Sequence, residues 1–183
     1  MDGPSFDPGG FYEFDLARGA VFARGGARVL VLSNDVVAPL IAVAAQNGDL
    51  TAVRRLGKQL GEQATASLGA RPPEVTPELV LGHAAAVLGL FGWGKLGFEQ
   101  WGSALVVSLD GLPELDDAHL AVSALLGGVL SAMGGREVAC VPIGTTERFV
   151  VVDPSVAEEV WSWAKSGTEV SEIVARLAPE SGP

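Results

Sequence analysis

Cysteine is nearly missing from this chain: there is one, Cys140, in 183 residues. A single thiol closes no intramolecular disulfide, and a cysteine-built zinc site lacks its ligands. The pattern fits a reducing compartment. Histidine is almost as scarce. His83 and His119 stand alone, with no partner at a metal-binding spacing such as H-x-x-x-H. Cations are few as well: twelve Lys and Arg against 22 Asp and Glu, a formal net charge of −10, with the basic residues scattered. Nucleic acid and anionic membrane surfaces call for a clustered basic face, so both drop out as partners. The longest apolar run, "AAAVLGLFGWG", falls short of the ~20 residues of a membrane helix and ends in glycines. The first residues, "MDGPSFDPGG", show no basic region leading into an apolar run, which argues against a signal peptide. The expectation is a cytoplasmic protein with no cofactor, no metal and no membrane insertion.

What is present is apolar: 48% of the residues, enough for a core in one domain with an appendage. Residues 1–17 read as an N-terminal tail, 18–153 as the domain and 154–183 as a C-terminal helical appendage. "RGAVFARGGARVLVLS" reads as a turn at "RGG" with a strand after it, forming a hairpin with Val21 and Phe22. "NDVVAPLIAVAAQNGD" is helical, its regular part starting close to Pro39. Asp49 opens a second helix. Along it Leu50, Val53, Leu56, Gly57, Leu60, Gly61, Ala64 and Leu68 share one face. Glycines in mid-helix cost roughly 1 kcal/mol each against alanine, a cost that close approach to another backbone offsets. Thr76-Pro77-Glu78 is a third helix start, running to about Leu90. "SALVVSL" is β-rich, and Asp116 or Asp117 caps a helix over "AHLAVSALLGGVLSAM" that Gly134-Gly135 ends. "REVACVPIG" and "ERFVVVD" pair around "GTT". Two short helices follow, the first opening at Pro154 after a capping Asp153. The fold class is α+β: helices packed on a twisted antiparallel sheet of about four strands, with extra C-terminal helices.

"GLFGWGKLGFEQW" contains G-x-G-x-x-G at Gly92, Gly94 and Gly97. A dinucleotide fingerprint needs a strand before these glycines and a helix after them. Here the order is inverted, so no helix N-terminus waits for a phosphate, and no Lys-Ser/Thr follows to make a P-loop. Gly92 ends the helix, Gly94 lets the backbone turn, and "KLGFEQW" begins a hairpin closed near Gly102-Ser103. Leu96, Phe98 and Gln100 then share one face of the strand, and Lys95, Gly97, Glu99 and Trp101 the other.

No catalytic set stands out. Cys140 sits among apolar neighbours, as a small buried hydrophobe does. Ser67, Ser103 and Ser131 lack a nucleophile elbow. The carboxylates Glu62, Glu99, Glu114, Asp116 and Asp117 show no pairing that sequence can establish. Trp161 and Trp163, two residues apart, cannot share one helical face. Either both cap the core, or one packs home and the other meets a partner.

"ARVLVLSNDVVAPLIAVAAQNGDLTAVRRLGKQLGEQATASL" resembles the first half of vinyl-four-reductase-type domains, and "LGLFGWGKLGFEQWGSALVVSL" resembles their Gly-x-Gly hairpin. "HLAVSALLGGVLSAMGGREVACVPIG" resembles their last helix-and-strand unit and the matching helix of the Bet-three-like subunits of TRAPP tethering complexes. The resemblance covers about residues 18 to 153. It implies an α+β fold, frequent dimerisation, and work as an assembly subunit or as a sensor with an apolar pocket. The chain also departs from the family. It lacks the cysteine-rich zinc site of the aromatic sensors, the acylated cysteine after the Gly-x-x-x-Gly helix, and the Tyr-x-Ser-x-Arg motif of haem sensors.

The main expectation is therefore a non-catalytic adaptor that dimerises or docks on a protein partner. Its contact candidates are Gly57, Gly61, Trp161 and Trp163, with the glycines serving close helix contacts within the core or across a dimer. The alternative is a sensor holding a small fatty-acyl or aromatic ligand. Its pocket candidates are Leu79, Val80, Ala84, Val87 and Leu88 of one helix and Leu125, Val129 and Met133 of another.

Overall fold

A computed structural model describes residues 9–68, 76–112, 115, 119–144 and 147–178. The strands are β1 (Tyr12–Asp15), β2 (Ala20–Ala23), β3 (Arg28–Val29), β4 (Lys95–Trp101), β5 (Ala104–Asp110), β6 (Ala139–Pro142) and β7 (Arg148–Val152). The helices are α1 (Asn34–Gln46), α2 (Thr51–Ser67), α3 (Pro77–Leu90), α4 (Leu120–Gly134), α5 (Ala157–Lys165) and α6 (Val170–Leu177). Strands β1-β2-β3 form a small antiparallel ribbon. The main sheet has the order β4-β5-β7-β6, antiparallel throughout. The class is α+β, as expected.

The main sheet is covered on both faces, and the alternation of its strands shows how. In β5, Val107 and Leu109 enter a core with α1–α4, while Ala104 and Val106 enter a second core with α5 and α6. In β7, Phe149 belongs to the first core, and Val150 and Val152 to the second. Strands buried on both faces read as unbroken apolar runs rather than alternating ones, which accounts for "ALVVSL" and "FVVV". The helices of 154–178 therefore fill the sheet's far side: Val160 and Ile173 are fully buried there.

Helix α3 opens where the sequence places it, with Leu79 N donating to Thr76 Oγ1 at 3.4 Å and Pro77 at the first position. The hairpin β4–β5 turns at Gly102-Ser103, with Trp101 opposite Ala104. Gly94 adopts φ +85° and lies so close to Asp110 O that a Cβ would come within 2.7 Å of it. The glycine-rich stretch is thus a bend into the sheet.

Several details differ from expectation. Helix α1 begins five residues before Pro39, which lies inside it and removes only one backbone bond near the first turn. β3 is two residues long, and Leu30–Leu32 continue outside the ribbon. β1 falls in the stretch read as a tail. It docks through Phe11, which packs with Ala64 and Val87, and through Tyr12, whose hydroxyl donates to Leu90 O at 3.2 Å. Helix α4 is preceded by His119 at φ 54°; Asp116 and Asp117, expected to cap it, lie outside the described residues, as do Glu114 and most of "GTT".

Candidate functional site

Helix α4 lies in van der Waals contact with α2 because both carry glycine where they cross. A Cβ at Gly57 would meet Leu125 O at 2.1 Å, one at Gly61 would meet Val129 O at 2.5 Å, and one at Gly128 would meet Arg54 O at 2.2 Å. Arg54 then crosses α4 beside Gly127. Its Nη2 donates to Ser131 Oγ (3.1 Å), Val138 O (2.8 Å) and Glu137 Oε2 (2.6 Å). Lys58 bonds the other oxygen of Glu137, and these two cations hold the Glu137 carboxyl below its usual range. Ser131 completes the clamp by accepting from Val138 N at 3.0 Å. The end of α4 and the entry to β6 are thereby fixed relative to the sheet.

Helix α3 packs instead on α2 and β4, and meets α4 little among the described residues. The gap left between the start of α3 and the end of α4 is a cavity of about 410 Å³. Pro77, Val80 and Leu81 of α3 form one wall, and Leu130, Met133 and Gly134 of α4 the other. Its floor is the cross-strand pair Leu105–Val151, with Val138 beside it. Arg136 is the one charged lining residue. It is exposed, as are Pro77 and Gly134, so this end is the mouth, while Val80, Leu130, Met133 and Val138 are buried. Ligand pockets run to ~300–1,000 Å³, mostly apolar with few polar groups, and this cavity falls in that range.

Of the eight residues proposed for a pocket from sequence, Val80 and Met133 line this cavity. Ala84, Leu88, Leu125 and Val129 are buried in the first core, Val87 packs against Phe11, and Leu79 is partly buried. Leu81, Leu105, Leu130, Arg136, Val138 and Val151 were not anticipated. Leu130 was within reach, one helical turn before Met133; Leu105 and Val151 depend on a strand pairing that local sequence does not display. Gly57 and Gly61 face α4 of the same chain. Trp161 and Trp163 are both partly buried against the second core, and the Arg176 guanidinium sits 4.9 Å from the centre of the Trp163 ring.

The reactive side chains are occupied in ways that blunt them. Burial pushes the Cys140 thiol up to about 12. Ser67 Oγ lies 2.8 Å from both Ala64 O and His83 Nε2, and its one proton serves a single acceptor. Burial also lowers the affinity of His83 for a second proton. Glu99 accepts from Trp101 Nε1 at 2.8 Å and faces Arg148, while Glu62 is exposed. A second cavity of about 430 Å³ lies between the sheet and α5–α6, but Arg148, Thr168 and Glu169 make its lining more polar.

Fold and site together define a class: an α+β domain with an apolar cavity between its helices and one face of an antiparallel sheet. Among the described residues no three His, Cys, Asp or Glu side chains cluster as a metal site would, and no helix is long and apolar enough to cross a membrane. No family model matches the chain, and no curated protein does. Among solved structures it is similar to the phenol-responsive sensory domain of the transcription activator PoxR, crystallised with phenol. The two are 11% identical, the match covers 93% of each chain, and the TM-score is 0.57. At that identity the likeness is one of fold.

Proposed function

We propose that this chain is a ligand-sensing domain. It takes a small, largely apolar molecule, aromatic or fatty-acyl, into the cavity between α3, α4 and the sheet. The observation that carries the reading is the cavity itself: apolar walls, a floor of Leu105 and Val151, and Arg136 at the mouth to meet a polar end of the ligand. The fold likeness to a phenol-responsive domain supports the same reading over the adaptor, because Gly57 and Gly61, two of the adaptor's contact candidates, are covered by α4. A vinyl-four-reductase-type sensor of the cytoplasm is the kind of protein this describes. Binding is its work and catalysis is not, a reading supported by the buried Cys140 thiol, whose pKa burial pushes up to about 12.

Titration calorimetry and thermal shift with phenol and with a medium-chain fatty acid test it. Saturable binding of one of them is expected, and it is lost in Leu130→Trp, which fills the cavity from α4. Native protein that binds neither, and that carries no co-purified ligand by native mass spectrometry, overturns the reading.

A further inference from the structure

The interior of the cavity between α3, α4 and the sheet offers a guest no polar side chain among the described residues. Val80, Leu130, Met133 and Val138 are buried in its walls, and Leu105 and Val151 form its floor. A polar group drawn inside would give up water and find no side chain to replace it, so the polar end of a guest stays at the mouth. None of the lining residues is aromatic. A ring would find no ring to stack on, whereas a chain of methylenes packs against leucine, valine and the adaptable Met133. At the mouth two helix ends meet: α3 begins at Pro77 and α4 finishes at Gly134. The start of a helix favours an anion and the end of one a cation, so the two offset each other and the side chain beside them, Arg136, sets the sign.

We propose that Arg136 makes this cavity a site for an anion: an aliphatic monocarboxylate whose tail fills the apolar interior and whose head meets the guanidinium at the mouth. This rests on the ligand-sensing reading above and fixes the charge of the ligand. The carboxylates near Arg136 in sequence or in space are engaged elsewhere. Glu137, the next residue, is held by Arg54 and Lys58 of α2. Asp153 accepts from Ser155 Oγ at 2.6 Å and from Ser155 N at 2.9 Å. These two bonds, and after them the charge of Arg136, hold its carboxyl below the usual range. Neither carboxylate comes within ion-pair distance of Arg136 among the described residues. The planar fork of a guanidinium matches a carboxylate with two parallel hydrogen bonds. A phenol hydroxyl, with a pKa of about 10, is neutral at pH 7 and enters the same cavity without that charge pairing.

Octanoate and octanol have chains of equal length and differ in the charge of the head, so titration calorimetry with both tests the inference. The proteins are the parent chain and Arg136→Gln, an exposed position where the change leaves the core untouched. The variant is expected to bind octanoate roughly fivefold more weakly, the upper end for an exposed ion pair, and octanol as tightly as the parent does. In the parent, added salt weakens octanoate and leaves octanol unchanged. Octanoate affinity that ignores Arg136→Gln, or octanol affinity that falls by as much, overturns the inference and leaves the sensing reading standing. A parent that binds octanol and not octanoate does the same. A parent that binds neither also overturns it, and phenol binding then decides whether the sensing reading falls with it.

Discussion

Replacing Gly57 with alanine adds one methyl group at the tightest point of the molecule. In a helix this change ordinarily helps, by about 1 kcal/mol, because alanine is the better helix former. Here the new Cβ would stand 2.1 Å from Leu125 O and 2.9 Å from the carbonyl carbon behind it. Both are backbone atoms of α4 and cannot rotate away, so the helices must separate or slide. Forcing an extra methyl into a packed core costs about 1–3 kcal/mol, sometimes more, and a backbone clash belongs at the upper end. The propensity gain offsets part of this, leaving a net loss of about 2 kcal/mol. For a chain of this size that lowers Tm by roughly 4–8 °C. Gly82 is the control. It lies inside α3, and a Cβ there meets nothing within 4 Å. Gly82→Ala should therefore stabilise by about 0.5–1 kcal/mol. Urea denaturation followed by circular dichroism measures both. A Gly57→Ala variant as stable as the parent, or shifted in the same direction as Gly82→Ala, would refute the crossing of α2 and α4 described above.

Other positions make separate predictions. Ile173→Ala, fully buried under the sheet's second face, should cost about 2–5 kcal/mol in the same urea experiment; a loss well below 1 kcal/mol would mean α6 is only loosely attached. Burial lowers the pKa of His83 below 6.5, so the unfolded chain takes up the proton more readily. Its contribution to stability is complete above pH 6.5 and is lost as pH falls toward the lower folded value. Thermal melts between pH 7 and 5 should show that slope, and His83→Gln should flatten it. Cys140 should resist iodoacetamide in the folded protein at neutral pH and react once urea unfolds it; prompt labelling of native protein would place the thiol at the surface.

The elements that sequence displays best are those with local chemistry. Thr76-Pro77 starts α3, the Gly-rich bend ends it, and Gly102-Ser103 closes the β4–β5 hairpin, each signalled within a few residues. The apolar runs of β5 and β7 carried a further signal, since two covered faces demand unbroken hydrophobicity. That is why the helices after Asp153 are part of the core and not attached beside it. The cavity was harder to see. It lies at the ends of α3 and α4, where two helices that pack on other elements fail to meet. Only a pairing between strands 46 residues apart in sequence brings Leu105 beside Val151. The pocket residues expected from helical periodicity are mid-helix, and periodicity marks core and cavity walls alike. β1 was obscured by the Pro- and Gly-rich start of the chain, which hides the aromatic anchors Phe11 and Tyr12.

Methyl-resolved NMR during a phenol titration tests most directly whether the cavity takes a small apolar guest. The account predicts saturable shifts concentrated on the methyl groups of Val80, Leu105, Leu130, Met133 and Val151, with those of Val160 and Ile173 on the far side of the sheet unmoved. No shift at any concentration, or shifts confined to the exposed Val36, Leu40 and Val43 of α1, would contradict it.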